Sequence, residues 1–318
     1  MTNSYELHVV LGASGGTGSA VVRELVRRGH RVRAVNRSGD ADVPDGSAVE
    51  RAKDDVAHLE GARRACAGAS VVYHCAQPQY TKWREEFPPM TDAVIEGAAA
   101  AGAKLVFADN LYMYGSTDGP MTEDSPQRAT GKKGKTRILM AERLLEAHRS
   151  GRVRVTIGRS SDYYGPRGTA SIAGDQVFRA ALAGKRARWP ASLDVPHTLS
   201  YLEDMAKGLV TLGEREEADG EVWHLPAAEP ITGRRFLELV FAEAGRPAKV
   251  GVISRTMVRV GGVFVPFIRE FGETFYHFER PFVLDASKYE RKVGDYAPTP
   301  HPEAVARTVA WFRERREG

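Results

Sequence analysis

The chain has 318 residues, of which 42% are apolar and 27% charged, and a formal net charge of +4. A length of this order buries a large core in one domain or two, and the composition excludes a disordered, fibrous or membrane-spanning protein. Acidic residues are spread throughout, so the modest positive charge singles out no nucleic-acid surface.

The segment "MTNSYELHVV" has no basic stretch followed by a long apolar one, which makes the cytoplasm the expected location. Its "ELHVVLG" portion reads as an apolar strand, and "GSAVVRELVRRG" has helical spacing and stops at Gly29. "RVRAVNR" reads as a strand, "VAHLEGARRACAG" as a helix and "SVVYHCA" as a strand. "EEFPPMTDAVIEGAAAAGA" is mostly helical after its prolines, "KLVFAD" is a strand, "TRILMAERLLEAHRSG" a helix and "VRVTIGR" a strand. This alternation predicts an α/β fold: a doubly wound parallel sheet with helices on both faces and a ligand crevice at the strands' carboxyl ends. After about Gly165 the pattern loosens into helical stretches near 170–184, 203–213, 232–244 and 303–315. A smaller, partly interleaved lobe is expected there, giving a nucleotide domain over 1–165, with returning segments near 198–224, and a substrate lobe mainly over 166–318.

Cys66 and Cys75 are expected to be reduced and buried, and no histidine, cysteine and carboxylate spacing suggests a metal site. The apolar run "VGGVFVPFI", 260–268, falls far short of the roughly 20 residues needed to cross a bilayer. It is expected in the core or in a pocket wall, with a subunit interface as the other option. The aromatic and apolar character of "GGVFVPFI" and "TFYHFERPF" predicts a medium-sized, partly hydrophobic substrate.

Two stretches carry ligand chemistry. "GKKGKTR", 131–137, ends like a phosphate-binding loop, but that loop needs a glycine at position 129, which is alanine, and a preceding strand. A solvated entry to the following helix is the plainer reading. "GASGGTG", 12–18, lies between the first strand and the first helix. Gly12, Gly15 and Gly18 suit a tight turn and close backbone approach, and the helix N-terminus favours a pyrophosphate. Ser14, Gly16 and Thr17 complete the expected cradle. An acidic residue at the end of the second strand would hold a free ribose hydroxyl; this chain has Asn36, Arg37 and Ser38. Arginine suits a 2′-phosphate, so NADP is expected in preference to NAD.

With these motifs the chain resembles the extended short-chain dehydrogenase/reductase superfamily, which includes NAD-dependent epimerases and dehydratases. The resemblance rests on "GASGGTG", "VVYHCA", "KLVFADNLYMYG", "AERLLEAHRSGRVRVTIGRSSDYYGP", "TLSYLEDMAKGL" and "VLDASKYERKVG". It implies a Rossmann-type nucleotide domain with Asp54, Cys75 and Ala76 among the cofactor contacts. It also implies a serine or threonine after "KLVFAD" and a Tyr-x-x-x-Lys on the next helix. Asn110, Lys133 and Arg137 stand at those three places, so all three depart from the family.

Chemically the replacements form a plausible set: Lys133 as proton donor, Asn110 as oxyanion donor, and Arg137 as ribose anchor and neighbouring charge. The Lys133/Arg137 pair is equally a clamp for a carboxylate or phosphate. Three functions follow: a reductase or dehydrogenase, a non-redox isomerase, lyase or cyclase with retained cofactor, or a non-catalytic NADP sensor. Tyr112 is a further catalytic candidate, and Tyr80, Trp83, Asp162, Tyr163 and His197 are candidates for the substrate pocket. His197 stands where nucleotide-sugar enzymes often have an arginine. A small molecule is the expected partner, with no nucleic acid and no membrane, and a homodimer through helices near 87–101 and 136–149.

Overall fold

Five consecutive apolar or half-apolar positions, Leu7–Leu11, form β1 and are buried throughout, as a strand covered on both faces requires. The computed structural model describes residues 6–44, 46 and 48–315. β2 (Arg31–Asn36) and β4 (Val71–His74) pair with β1 in parallel, and β3 (Val49–Lys53) closes one edge beside β2. β5 (Lys104–Asp109) and β6 (Val155–Arg159) continue the sheet beyond β4. The chain then forms β7 (Asp162–Tyr164), β8 (Ala187–Pro190), β9 (Pro196–His197) and β10 (Leu199–Tyr201). It returns to the sheet at β11 (Val222–His224), parallel to β6. β12 (Ile231–Thr232) and β13 (Val250–Ile253) complete short ladders with β9 and β8.

The seven-stranded order is β11-β6-β5-β4-β1-β2-β3, so the order reverses between β1 and β4. A crevice for a ligand opens at that switch point. One face carries α2 (Leu59–Cys66), α3 (Trp83–Ala101) and α4 (Lys132–Arg149). The other carries α1 (Gly16–Arg27) and α6 (Leu202–Glu214), and α5 (Asp175–Leu182) precedes α6 in the chain. A further core joins α5 to α7 (Gly233–Glu243) and α11 (His301–Glu314) around Trp189, Phe236 and Phe312. Between them lie α8 (Arg255–Phe264), α9 (Pro266–Thr274) and α10 (Ser287–Lys292).

Several elements differ from their sequence reading. β3, with the sequence VERAK, is a charged edge strand whose composition hides it. α3 starts at Trp83 and runs through Pro88 and Pro89. The carbonyls that these prolines leave without a helical partner belong to Arg84 and Glu85, both exposed residues. α5 is shorter than the stretch 170–184. The run 260–268 is not core: it forms the end of α8 and the start of α9, and Val263 and Phe264 are 76% and 80% exposed. Cys66 is buried and Cys75 partly so, and both are free thiols; burial pushes each up to about 12.

Candidate active site

The turn after β1 is built by backbone that only glycine supplies. Gly12 has φ +83°, and a Cβ there would lie 2.6 Å from the Cα of Ala76. The N–H groups of Gly12 and Ala13 both donate to the Val35 carbonyl, at 2.9 and 3.1 Å, and that of Gly15 donates to the Gly12 carbonyl at 3.0 Å. A Cβ on Gly18 would be driven into the same Gly12 carbonyl. α1 begins at Gly16 with Gly15 as its cap residue and no side-chain cap. Its first N–H groups and its dipole are therefore available to an anion. The absence of a cap, the glycine cradle and the close approach of Ala76 fit a dinucleotide pyrophosphate.

At the end of β2 the side chains take separate roles. Asn36 Nδ2 donates to the Asp40 carbonyl at 2.8 Å, and its Oδ1 accepts from the Gly39 N–H at 2.6 Å and the Ser38 hydroxyl at 3.3 Å. Asn36 and Ser38 thus tie the turn together, while Arg37 between them stays exposed. Asp54 lies alongside: its N–H donates to the Asn36 carbonyl at 3.1 Å, and its carboxylate accepts from Arg64 at 2.8 Å. Ser14 is exposed and Thr17 half-buried in the glycine loop, and the Cys75 N–H bonds to the Leu11 carbonyl at 3.0 Å.

The other half of the crevice lies beyond β4 and β5. Asn110 Oδ1 accepts from the Tyr112 N–H at 3.0 Å, so its Nδ2 is the group left to donate. Tyr112 makes a long hydrogen bond of 3.5 Å to Asp162 Oδ1, and Asp162 Oδ2 lies 2.9 Å from His197 Nε2. Burial is the largest single influence on the Asp162 carboxyl and pushes it up, but His197, His277 and the Tyr112 hydroxyl together outweigh it and hold the group below the usual carboxylate range. Burial, followed by the Asp162 charge, raises the Tyr112 phenol well above its usual value. Tyr112 consequently keeps its proton at neutral pH. His277 is buried 4.9 Å from the Tyr112 ring and is pushed down to about 3.

Lys133 stands in the first turn of α4, not in a solvated loop before it. Its Nζ donates to the Tyr80 carbonyl and to Glu270 Oε2, both at 2.8 Å, and sits 4.0 Å from the centre of the Tyr80 ring. Its backbone N–H donates to Glu273 Oε1 at 2.5 Å. Three lysines in this turn oppose the helix dipole, and the carboxylates of α9 compensate them. Gly131 admits Glu273, because a Cβ at 131 would collide with that carboxylate. Gly134 likewise lets α4 approach the Tyr112 carbonyl, which a Cβ would meet at 2.6 Å.

Arg137 lies one turn further on and shares the Trp83 ring with Lys133, at 4.3 and 5.7 Å from its centre. It does not point to an open ribose site as expected. It is buried, and its Nη1 donates to Asp109 Oδ1 at 3.2 Å, while Arg159 Nε donates to Asp109 Oδ2 at 3.0 Å. A guanidinium buried this deeply takes the nearest carboxylate, and Asp109 at the end of β5 supplies it. The charge facing Lys133 is therefore Glu270, not Arg137.

The structure gathers Lys133, Tyr80, Trp83, Tyr112, Asp162 and His197 into one contiguous cluster. Tyr163 is set apart, since neighbours on a strand face opposite sides and its ring packs toward the α1 and α6 face. The reading of sequence missed Asp109, Arg159, Glu270, Glu273 and His277. Glu270 and Glu273 had a signal: they are the only carboxylates in the apolar segment 255–274.

The model of the NAD dependent epimerase/dehydratase family matches residues 8–225. The chain is 28% identical to "Sterol demethylase protein B" of Methylococcus capsulatus, over 96% of this chain and 98% of that one. It is 24% identical to dTDP-glucose 4,6-dehydratase of Streptomyces griseus (97% and 94% covered) and 26% identical to 2-alkyl-3-oxoalkanoate reductase of Stenotrophomonas maltophilia (83% and 85%). The epimerase Mth375 of Methanothermobacter thermautotrophicus has the same fold, with a TM-score of 0.84 at 18% identity over 98% of this chain and 94% of that one.

Proposed function

The chain belongs to the NAD dependent epimerase/dehydratase family, and from that premise we propose that it is an NADP-dependent oxidoreductase acting on a medium-sized, partly hydrophobic carbonyl compound or alcohol. The observation that carries this reading is a buried ammonium, Lys133, beside an uncharged aromatic wall at the carboxyl ends of the strands that also build the glycine cradle. The backbone of Gly12, Gly15 and Gly16, with Ser14 and Thr17, holds the pyrophosphate. Arg37, presented by the Asn36–Ser38 turn, takes the 2′-phosphate. NADP held there supplies the hydride or accepts it.

Lys133 holds the proton at Nζ and gives it to the substrate oxygen as the carbonyl is reduced, while Glu270 keeps the ammonium in place. Asn110 Nδ2 donates to the oxygen as charge develops on it. Tyr112 keeps its proton and becomes the second donor by turning its single O–H from the long bond with Asp162 onto the substrate oxygen. Arg137 is a positioning residue that braces Trp83 and the end of β5. Tyr80 and Trp83 form the apolar wall, in keeping with similar proteins whose names specify a sterol and a 2-alkyl-3-oxoalkanoate.

The similar dTDP-glucose 4,6-dehydratase supports a second reading, in which the same residues serve a reaction without net redox change. A deuterated cofactor separates the two: label in the product supports the reductase, and product without label supports the alternative. For the cofactor itself, NADPH should raise the melting temperature more than NADH does, and Arg37→Ala should erase that difference. Equal stabilisation of the parent protein by both overturns the NADP assignment.

A further inference from the structure

The exposed apolar side chains are concentrated in one place. Of nine large hydrophobic side chains left exposed among the described residues, seven fall between residues 252 and 267. Val252 lies on β13 and Phe267 packs 5.6 Å from the Tyr80 ring; the other five, Met257, Val260, Val263, Phe264 and Val265, lie on the outer side of the α8–α9 hairpin, which covers Lys133 through Glu270. Scattered exposed hydrophobics are ordinary, whereas a contiguous patch marks a contact surface.

The hairpin is built to present this face. Ser254 caps α8 by accepting from the Met257 N–H at 3.2 Å, and Arg255 pairs with Glu279 at its base. Gly261 and Gly262 allow close packing of the two helices: a Cβ on Gly262 would lie 3.0 Å from the Cα of Arg269. Val258 and Gly262 face inward, and Glu270 turns onto Lys133 and Glu273 onto its backbone N–H. The outer face therefore has no carboxylate of its own. It has Arg259 and Arg269, both exposed, and the tip between the helices is Val263 and Phe264, the most exposed hydrophobic side chains of the set.

We propose that this face docks on an anionic lipid bilayer. Phe264 and Val263 enter the headgroup region, and Arg259 and Arg269 meet the lipid phosphates. A projecting apolar tip suits a fluid medium that closes around it. A two-fold contact of this face with a second copy would instead gather four arginines in one seam, to which the face brings no carboxylate. No helix among the described residues is long and apolar enough to cross a membrane, so the contact is peripheral. It departs from the expectation of no membrane partner. It also deepens the proposed function, on which it rests for its purpose: the hairpin that covers Lys133 would meet the phase in which a lipid-soluble substrate is concentrated.

Co-sedimentation of the full chain with vesicles tests this without any turnover measurement. Mixed phosphatidylcholine and phosphatidylglycerol vesicles should bind the protein, more weakly at high salt, and pure phosphatidylcholine vesicles should bind it less. Phe264→Asp should reduce partitioning by roughly tenfold, and Arg259→Glu with Arg269→Glu should remove the preference for the anionic lipid. Val263→Ser serves the same purpose if Phe264→Asp alters the melting temperature. Failure of the folded protein to bind anionic vesicles, or unchanged binding by a folded tip variant, overturns the proposal. A dimer that Phe264→Asp splits, seen by sedimentation velocity without vesicle binding, assigns the face to a second copy and overturns it as well. Stabilisation by NADPH is read separately, so the cofactor assignment can stand or fall by itself.

Discussion

At Lys133 a buried ammonium has fixed neighbours: the Tyr80 carbonyl, the Glu270 carboxylate and the Tyr80 ring. If it delivers the proton, Lys133→Ala should lower kcat by roughly 10²–10⁴-fold, the usual worth of general acid catalysis. Stabilisation by NADPH should hardly change, because the glycine loop and Arg37 lie on the other side of the crevice. Full activity in that variant moves the search to Tyr112 and Asp162. Asp109 makes a different kind of claim. It lies between the guanidiniums of Arg137 and Arg159, all three buried. Asp109→Ala would leave two charges without their carboxylate, and should cost about 3–5 kcal/mol of unfolding free energy in urea titration. From the sequence, Lys133, Arg137 and Asn110 are expected at the places of a family's catalytic residues. The sequence did not show where Arg137 turns, because the choice between a ligand and Asp109 is made by packing against Trp83 and Phe87.

At the scale of elements, α4 is the instructive case. Its first turn, "KKGK", carries positive charge where a helix favours negative. The same letters read as a solvated lead-in when only local preference is considered. The helix nevertheless starts at Lys132, because Glu273 of α9 accepts the Lys133 N–H as a cap residue would. Glu273→Gln keeps the acceptor and removes the charge, and should cost about 0.3–1 kcal/mol. Glu273→Ala removes both and should cost about 1–2 kcal/mol. Hydrogen exchange at the Lys133 amide should quicken in the same order; equal exchange in both variants and the parent would mean that α9 does not hold this turn.

For the whole molecule, acid is the informative variable. Burial lowers His8, His74 and His277 from 6.5 to about 3 and His224 to about 4. In the unfolded chain these imidazoles take up protons below about 6.5, while the folded ones stay neutral until far lower pH. The unfolded state binds more protons in that window, so stability is complete above it and falls as pH drops through it. Each histidine contributes a slope of about 1.4 kcal/mol per pH unit, and the urea midpoint should fall steadily from about pH 7 to about pH 5. A flat midpoint would mean that the buried imidazoles are already protonated in the fold. The sequence alone determined the alternation of the apolar strands with their helices as far as β6, the parallel sheet they build and the glycine turn. Those follow from short-range causes: apolar periodicity, and backbone angles such as φ +83° at Gly12 that a side chain resists. The tertiary structure alone decided that α9 closes over α4, joining Lys133 to Glu270 and Glu273 across 137 and 140 positions of chain. It alone turned the apolar side of α8 and α9 outward, because an amphipathic segment has two faces and only the neighbours it packs against decide which one is covered.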